Sequence, residues 1–232
     1  PKQATKILRL NPNLGFTDEE QKRMTALTVD NENRWQTGDT SSEDWPEHAI
    51  PATHAERVAS KIGTLIHKVF ETYTRSNSKP DYLAKFEKVI AFWELNLRPL
   101  QLPSMERKRI LNHMKATVLK TLSDPKINWI FDSEHREGAC ELSICRKQNG
   151  YTQQFVIDRT FVDQDDTRWI IDYKTSQQQP EQTESEFIQS QTEKYRSQLE
   201  NYRDLIKATE NRTTRLALLL TDIPAVVEIE PN

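Results

Sequence analysis

A chain of 232 residues with 35 acidic and 32 basic side chains carries a formal charge of -3, so it has no general basicity to attract a polyanion. Any such binding must come from local patches. A hydrophobic share of 35% supports a substantial core in one large domain or two small ones, and no apolar run approaches the ~20 residues of a membrane helix.

Two cysteines, Cys140 and Cys145, are too few for a disulfide framework or an iron–sulfur cluster. Their spacing puts them on opposite faces of a strand, as ordinary reduced thiols. The chain opens Pro1-Lys2-Gln3, with neither an initiator Met nor an apolar signal segment. That reads as a cytoplasmic protein without a membrane partner, and as a piece of a longer polypeptide.

Residues 1–52 read as an extended arm or linker, with Asn-Pro-Asn at 11–13, a helical turn or two at 18–27, and Pro46 and Pro51 as punctuation. From Thr53 the pattern turns helical. Val58, Ile62, Leu65, Ile66, Val69 and Phe70 share one face, with Thr53 as N-cap and Glu56 completing a capping box. A second helix is expected over 81–97, capped by Asp81, carrying Leu83, Phe86, Ile90, Phe92 and Trp93, and ended by Arg98-Pro99. A third starts at Ser104 and runs to Leu122.

Beyond Pro125 the period falls toward two. Strands are expected at 139–146, 153–162 and 168–175, with a turn at Gln148-Asn149-Gly150 and a hairpin loop at 163–167. Residues 177–186 read as a polar loop, 189–209 as a long helix, and 216–221 and 226–229 as closing strands. The expected order is a helical part over 53–123 followed by a β-β-β-α-β-β core over 137–230.

The hairpin register follows from a five-residue loop. Val162 then faces Arg168, Phe161 faces Trp169 and Ile157 faces Tyr173, which makes one apolar face. On the other face Asp158 falls opposite Asp172, and Val156 opposite Lys174. Directly opposed residues have Cβ atoms about 4.5–5.5 Å apart, and two carboxylates that close repel unless a cation lies between them. Asp-x-Lys by itself is a common tripeptide. Here it closes the apolar run Trp169-Ile170-Ile171, and Asp158 closes Phe155-Val156-Ile157 in the same way. Charges embedded in such runs require a partner or an ion. Two hard oxygen ligands suit a Mg²⁺-type cation, and a neighbouring lysine suits the orientation of an attacking water.

His67 and Glu71 lie one helical turn apart, with His67 close to the apolar face, where a hydrogen-bonded core histidine is the common outcome. Tyr195, Gln198 and Tyr202 form a stripe at i, i+3 and i+7. Arg107, Lys108, Arg109, Lys115 and Lys120 gather in the third helix, either as a solvated face or as a track for a phosphate backbone. His48, His54, His113 and His135 show no zinc-ligand spacing.

Taken in order, these segments resemble the RecB-like branch of the PD-(D/E)xK nuclease superfamily, which includes nuclease domains fused to UvrD-type helicases. Gly63-Thr64-Leu65-Ile66-His67-Lys68-Val69-Phe70-Glu71 resembles the G-x-x-x-H-x-x-x-E helix of that branch, and Val156-Ile157-Asp158-Arg159 its first acidic strand. Ile171-Asp172-Tyr173-Lys174-Thr175-Ser176 resembles D-Y-K-[ST], and Gln198-Leu199-Glu200-Asn201-Tyr202 resembles Q-x-x-x-Y. The series covers about residues 55–230. One departure is visible, since 154–157 contains no glycine before the first strand Asp.

The resemblance implies an α/β (α+β) restriction-endonuclease-like core over 53–232, with a central mixed sheet flanked by helices and an N-terminal helical lobe. It implies Asp158, Asp172, His67 and the Tyr173 carbonyl as metal ligands and Lys174 as the residue that positions the water. Gln198 and Tyr202 would support the site, with Glu141 as an auxiliary acid. Mg²⁺ is the expected metal, with Mn²⁺ as a substitute. Absence of a four-cysteine set argues against the iron–sulfur branches. The expected activity is exonuclease V-like hydrolysis of DNA, single-stranded by preference, in repair or recombination. A helicase domain in the same full-length chain and a second helicase–nuclease subunit are the expected partners; no Walker A segment occurs in the sequence itself. The alternative is a catalytically silent DNA-binding or scaffolding module of the same fold.

Overall fold

The computed structural model describes residues 7–9, 53–148 and 151–230. The helical turns expected at 18–27 and the turn residues Asn149 and Gly150 lie outside these. Within the described residues the first helix, α1 (His54–Thr74), begins as expected. Thr53 accepts the Glu56 N–H and Glu56 reaches back to the Thr53 N–H.

The single helix expected over 81–97 is two, α2 (Lys79–Ala84) and α3 (Phe86–Leu97). Ser78, not Asp81, is the cap, accepting the Asp81 N–H, and Pro80 fits the first turn, where its missing donor costs nothing. The break at Lys85 lets Phe86 turn inward onto Trp93, with ring centroids 5.6 Å apart. α4 (Ser104–Ser123) and the short α5 (Pro125–Asn128) complete the helical lobe.

Among the described residues, six strands form one sheet in the order β1-β2-β3-β4-β5-β6. They are β1 (Ile7–Arg9), β2 (Arg136–Gln148), β3 (Tyr151–Val162), β4 (Arg168–Lys174), β5 (Thr214–Leu220) and β6 (Ala225–Ile229). β1, which the sequence did not announce, pairs antiparallel with the outer edge of β2. All neighbouring pairs are antiparallel except β4–β5. That parallel pair needs a crossover, supplied by α6 (Glu184–Lys207). α6 starts earlier than the polar loop suggested, because Thr183 and Glu186 form a second capping box.

Apolar side chains separate onto the two faces. Phe161, Trp169, Ile171, Tyr173, Ala217 and Leu219 pack with α1 and the rest of the helical lobe. Ile170, Leu216, Leu218 and Leu220 pack with Phe187, Leu199, Tyr202 and Leu205 of α6. β4 is therefore covered on both sides, as its unbroken apolar run requires. Both cysteines are free thiols.

The expected β3–β4 register holds over four pairs, from Val162–Arg168 to Arg159–Ile171. One expectation is corrected. Ile157 does not share the apolar face of Phe161; it packs with Ile170 and Leu199 on the α6 side. The strand changes its facing between Ile157 and Arg159, where the β2–β3 pairs skip Glu141 and Asp158 and Glu141 takes a left-handed φ of 52°.

Candidate active site

β3 and β4 separate just past Arg159 and Ile171, and the two acidic side chains sit where they part. Asp158 Oδ2 accepts the Tyr173 backbone N–H at 2.6 Å. Its other oxygen lies 3.3 Å from His67 Nδ1, presented by α1. The Glu141 carboxylate arrives from β2. One ligand atom each from His67, Glu141 and Asp158 lie within 4.8 Å of one another.

Asp172 is buried and belongs to the other half of the site. Its Oδ2 lies 2.6 Å from Lys174 Nζ, and its Oδ1 accepts from Gln198 Nε2 at 3.3 Å. Gln198 organises this half through both ends of its amide. Its oxygen lies 3.4 Å from Lys174 Nζ, and its nitrogen donates to the Tyr202 hydroxyl at 2.7 Å. The Tyr195 ring packs against the same ammonium, 3.7 Å from its centroid. Lys174 is thereby held on three sides with 15% of its side chain exposed, an arrangement suited to placing one charge at a fixed point.

Electrostatics mark the site as short of positive charge. Burial, then the Asp158 charge, push Asp172 up to about 6 despite Lys174. Glu141 stands at the rim, yet desolvation of its carboxyl and the Asp158 charge raise it above the usual carboxylate range. Burial favours neutral imidazole at His67, but the surrounding carboxylates, Asp158 first, outweigh it and raise its pKa. Burial also pushes the Tyr202 phenol up to about 12, so it remains a neutral hydroxyl for Gln198.

The donor set is carboxylate oxygen with one imidazole, the chemistry of a hard divalent cation. A cation there would relieve the same repulsion that raises Asp172 and Glu141. The residues present therefore fit such an ion.

Two further residues shape the site. A Cβ on Gly63 would meet Thr175 Oγ1 at 3.3 Å, so the helical glycine lets α1 close onto the chain just beyond Lys174. Glu71, one turn from His67, is buried with Lys68 at 2.7 Å and Arg75 at 2.8 Å.

The structure thus brings Asp158, Asp172, Lys174, Gln198, Tyr202 and His67 together. Tyr173 contributes its N–H, and its ring packs edge-on against His67, centroids 5.5 Å apart. Asp172 lies outside the tight His67–Glu141–Asp158 group, because its oxygens turn to Lys174 and Gln198. Glu141, expected as an auxiliary acid, is a member of the tight group with His67 and Asp158. The β2–β3 register, with Cys140 paired to Arg159 and Leu142 to Ile157, carries Glu141 to the level of Asp158. Tyr195 lay on the noticed stripe, but nothing in the spacing said that it would cover Lys174.

A mixed sheet flanked by helices, with paired carboxylates and a lysine where two central strands part, defines the restriction-endonuclease-like class of fold. Residues 15–229 match the family described as the PD-(D/E)XK nuclease superfamily, and the chain belongs to it. Membership makes it a nuclease domain of a superfamily whose enzymes use divalent metal ions. No curated protein matches the chain. Among solved structures, the crystal structure of protein VC1899 from Vibrio cholerae is similar at 12% identity and a TM-score of 0.27. That match covers 73% of this chain and 44% of the other. Among the described residues, no helix is long and apolar enough to cross a membrane.

Proposed function

We propose that this domain hydrolyses DNA phosphodiester bonds with Mg²⁺, Mn²⁺ substituting, and that Asp158, Asp172, Lys174, Gln198 and Tyr202 form its catalytic apparatus. The observation that carries this reading is the buried Asp172 carboxylate, in contact with Lys174 and pushed up in pKa by its burial and then by Asp158. A buried carboxylate whose charge a second carboxylate opposes is costly to a metal-free fold and suited to a metal-binding one.

His67, Asp158 and Asp172 would hold the ion, with Glu141 beside them and the Tyr173 carbonyl as a further oxygen. When bound, it supplies Lewis-acid stabilisation of the charge that develops on phosphate. Lys174 orients the water and places an ammionium-type positive charge against the phosphoryl oxygens. Gln198, anchored by the neutral Tyr202 hydroxyl, fixes both Lys174 and Asp172, so each holds its position through turnover. Tyr195 shields the ammonium from water.

The ordered motif series, from Gly63-x-x-x-His67 to Gln198-x-x-x-Tyr202, supports an exonuclease V-like domain of a larger helicase–nuclease in DNA repair or recombination. On this reading residues 1–52 are an arm that lends β1 to the sheet, 53–232 the catalytic domain, and the protein is cytoplasmic. Its partners are a helicase domain in the full-length chain and a second helicase–nuclease subunit.

The test is cleavage of end-labelled single-stranded DNA, duplex DNA and RNA with Mg²⁺, Mn²⁺ or EDTA, beside divalent-metal calorimetry. Metal-dependent DNA cleavage lost in Asp172→Ala supports the proposal. Metal or DNA binding without turnover would identify a silent binding module, and cleavage of RNA alone would overturn the choice of substrate.

A further inference from the structure

α1 and α3 enclose a groove of about 400 Å³ that opens directly onto the candidate metal site. His67 and Glu141 line its inner end, Lys61 and Thr64 one wall, and Phe92 and Asn96 the other. The sequence pattern counted Phe92 among the apolar face of its helix, but the break at Lys85 sends Phe86, Trp93 and Leu97 inward instead. Phe92 is left 43% exposed, and among the described residues no other ring or cation packs against its own. A phenyl ring open to solvent in a groove that leads to the site offers a flat apolar face on which a planar ring can stack.

We propose that Phe92 is the residue that selects unpaired strands: it stacks on a nucleobase next to the scissile phosphate, while Lys61 takes a backbone phosphate across the groove. This deepens the nuclease reading and rests on it. Charge supports the occupant. Lys61 forms no ion pair among the described residues, whereas Lys68, the other lysine facing the groove, is engaged by Glu71. Glu71 is in turn shared with Arg75, which leaves Glu141, among the described residues lining the groove, as the acidic group without a cation at ion-pair distance. The groove is thus cationic at Lys61, apolar at Phe92 and acidic where Glu141 meets the site. A single strand presents the complements of all three, as a backbone phosphate, a base face and the phosphate that the site would take. A base inside a duplex already has both faces covered by its neighbours, so its face is not available to the ring.

The experiment measures binding by fluorescence anisotropy in EDTA, where nothing is cut, using labelled oligo-dT and a blunt hairpin. Cleavage of the same two probes with Mg²⁺ is measured alongside. Phe92→Ala is expected to weaken oligo-dT binding by roughly 5- to 150-fold, the range of one lost base–aromatic stack. Hairpin binding should be unchanged, Phe92→Trp should restore oligo-dT binding, and Leu95→Ala, an exposed apolar residue of the same helix at 59%, should have no effect. Unaltered thermal melting of Phe92→Ala excludes a folding cause. Equal oligo-dT binding by Phe92→Ala and wild type, or equal losses on both probes, overturns the stacking role even where wild-type cleavage stands. A wild-type protein that neither binds nor cuts either probe overturns the nuclease reading and this inference together.

Discussion

Tyr173 donates its backbone N–H to Asp158 Oδ2 at 2.6 Å, at the point where β3 and β4 cease to pair. The carboxylate takes over a donor that the ladder would otherwise have used. Asp158 is therefore fixed to the backbone of the neighbouring strand, one residue from Asp172 and one from Lys174. The two carboxylates escape direct opposition by facing different partners, Asp158 toward His67 and Asp172 toward Lys174 and Gln198.

That division still leaves Asp172 short of compensation, and the stability of the metal-free protein should show it. Its pKa of about 6, raised by burial and then by Asp158, exceeds the ordinary 3.8 of the unfolded chain. The folded state therefore binds this proton more tightly, so stability falls as pH rises from about 4 through 6 and the penalty is complete above that. A difference of this size is worth up to about 3 kcal/mol. Asp172→Asn in EDTA should melt higher than wild type at pH 8, with the gain gone by pH 4, while Asp172→Ala abolishes cleavage. An Asn variant less stable at pH 8 would show that Lys174 compensates the charge fully.

How far the sequence revealed this site depends on which interactions are local. The capping box of α1 and the hairpin register of β3 and β4 depend on residues a few positions apart, and both were legible. The ordered motifs likewise pointed to every residue of the Asp172–Lys174–Gln198–Tyr202 group. Ile157 could not be placed, because a local backbone reversal at Glu141 decides its face, and left-handed φ at a glutamate leaves no pattern in a hydrophobic period. Phe92 failed for a related reason: the helix break at Lys85 changes the phase of every apolar residue after it.

Lys174 is expected to be indispensable, and Tyr195 to matter through it. Lys174→Ala should abolish cleavage while leaving the fold and metal affinity nearly intact. Tyr195→Leu keeps the apolar bulk but removes the ring that lies 3.7 Å from the ammonium. With a cation–π contact worth about 0.5–2 kcal/mol, kcat should fall by several-fold to tens of fold, and KM should be little changed. Wild-type kcat in the Leu variant would mean that Asp172 and Gln198 hold the lysine unaided.

Metal affinity should separate the two halves of the site. His67→Ala and Glu141→Ala each remove one member of the group whose ligand atoms lie within 4.8 Å. Calorimetry with Mn²⁺ should show weaker binding in both, by roughly tenfold or more. Gln198→Ala, which removes no ligand atom but frees one Asp172 oxygen, should weaken the affinity less than either and act chiefly on kcat. Unchanged affinity in His67→Ala would return that histidine to a packing role.

At the opposite end of β4, Arg168 tests whether stability and chemistry can be separated. Its guanidinium is 3% exposed, lies 2.8 Å and 3.0 Å from the two Glu210 oxygens, and also pairs with Glu137. Arg212 joins the same carboxylates at 2.8 and 2.9 Å, tying β2 and the α6–β5 turn to β4. The hydrogen bond from Arg168 holds Glu210 below the usual carboxylate range. Its contribution is therefore present above about pH 4.5 and lost as pH falls through the lower folded value. Glu210→Ala leaves a buried guanidinium short of its best partner and should cost about 3 kcal/mol at pH 7, read by urea denaturation. The deficit should shrink below pH 4, where the wild-type carboxylate also protonates. Because the pair lies away from Asp158 and Asp172, cleavage per folded molecule should equal that of wild type. A loss of kcat in fully folded Glu210→Ala would show that strain at this end of β4 is transmitted to its catalytic end.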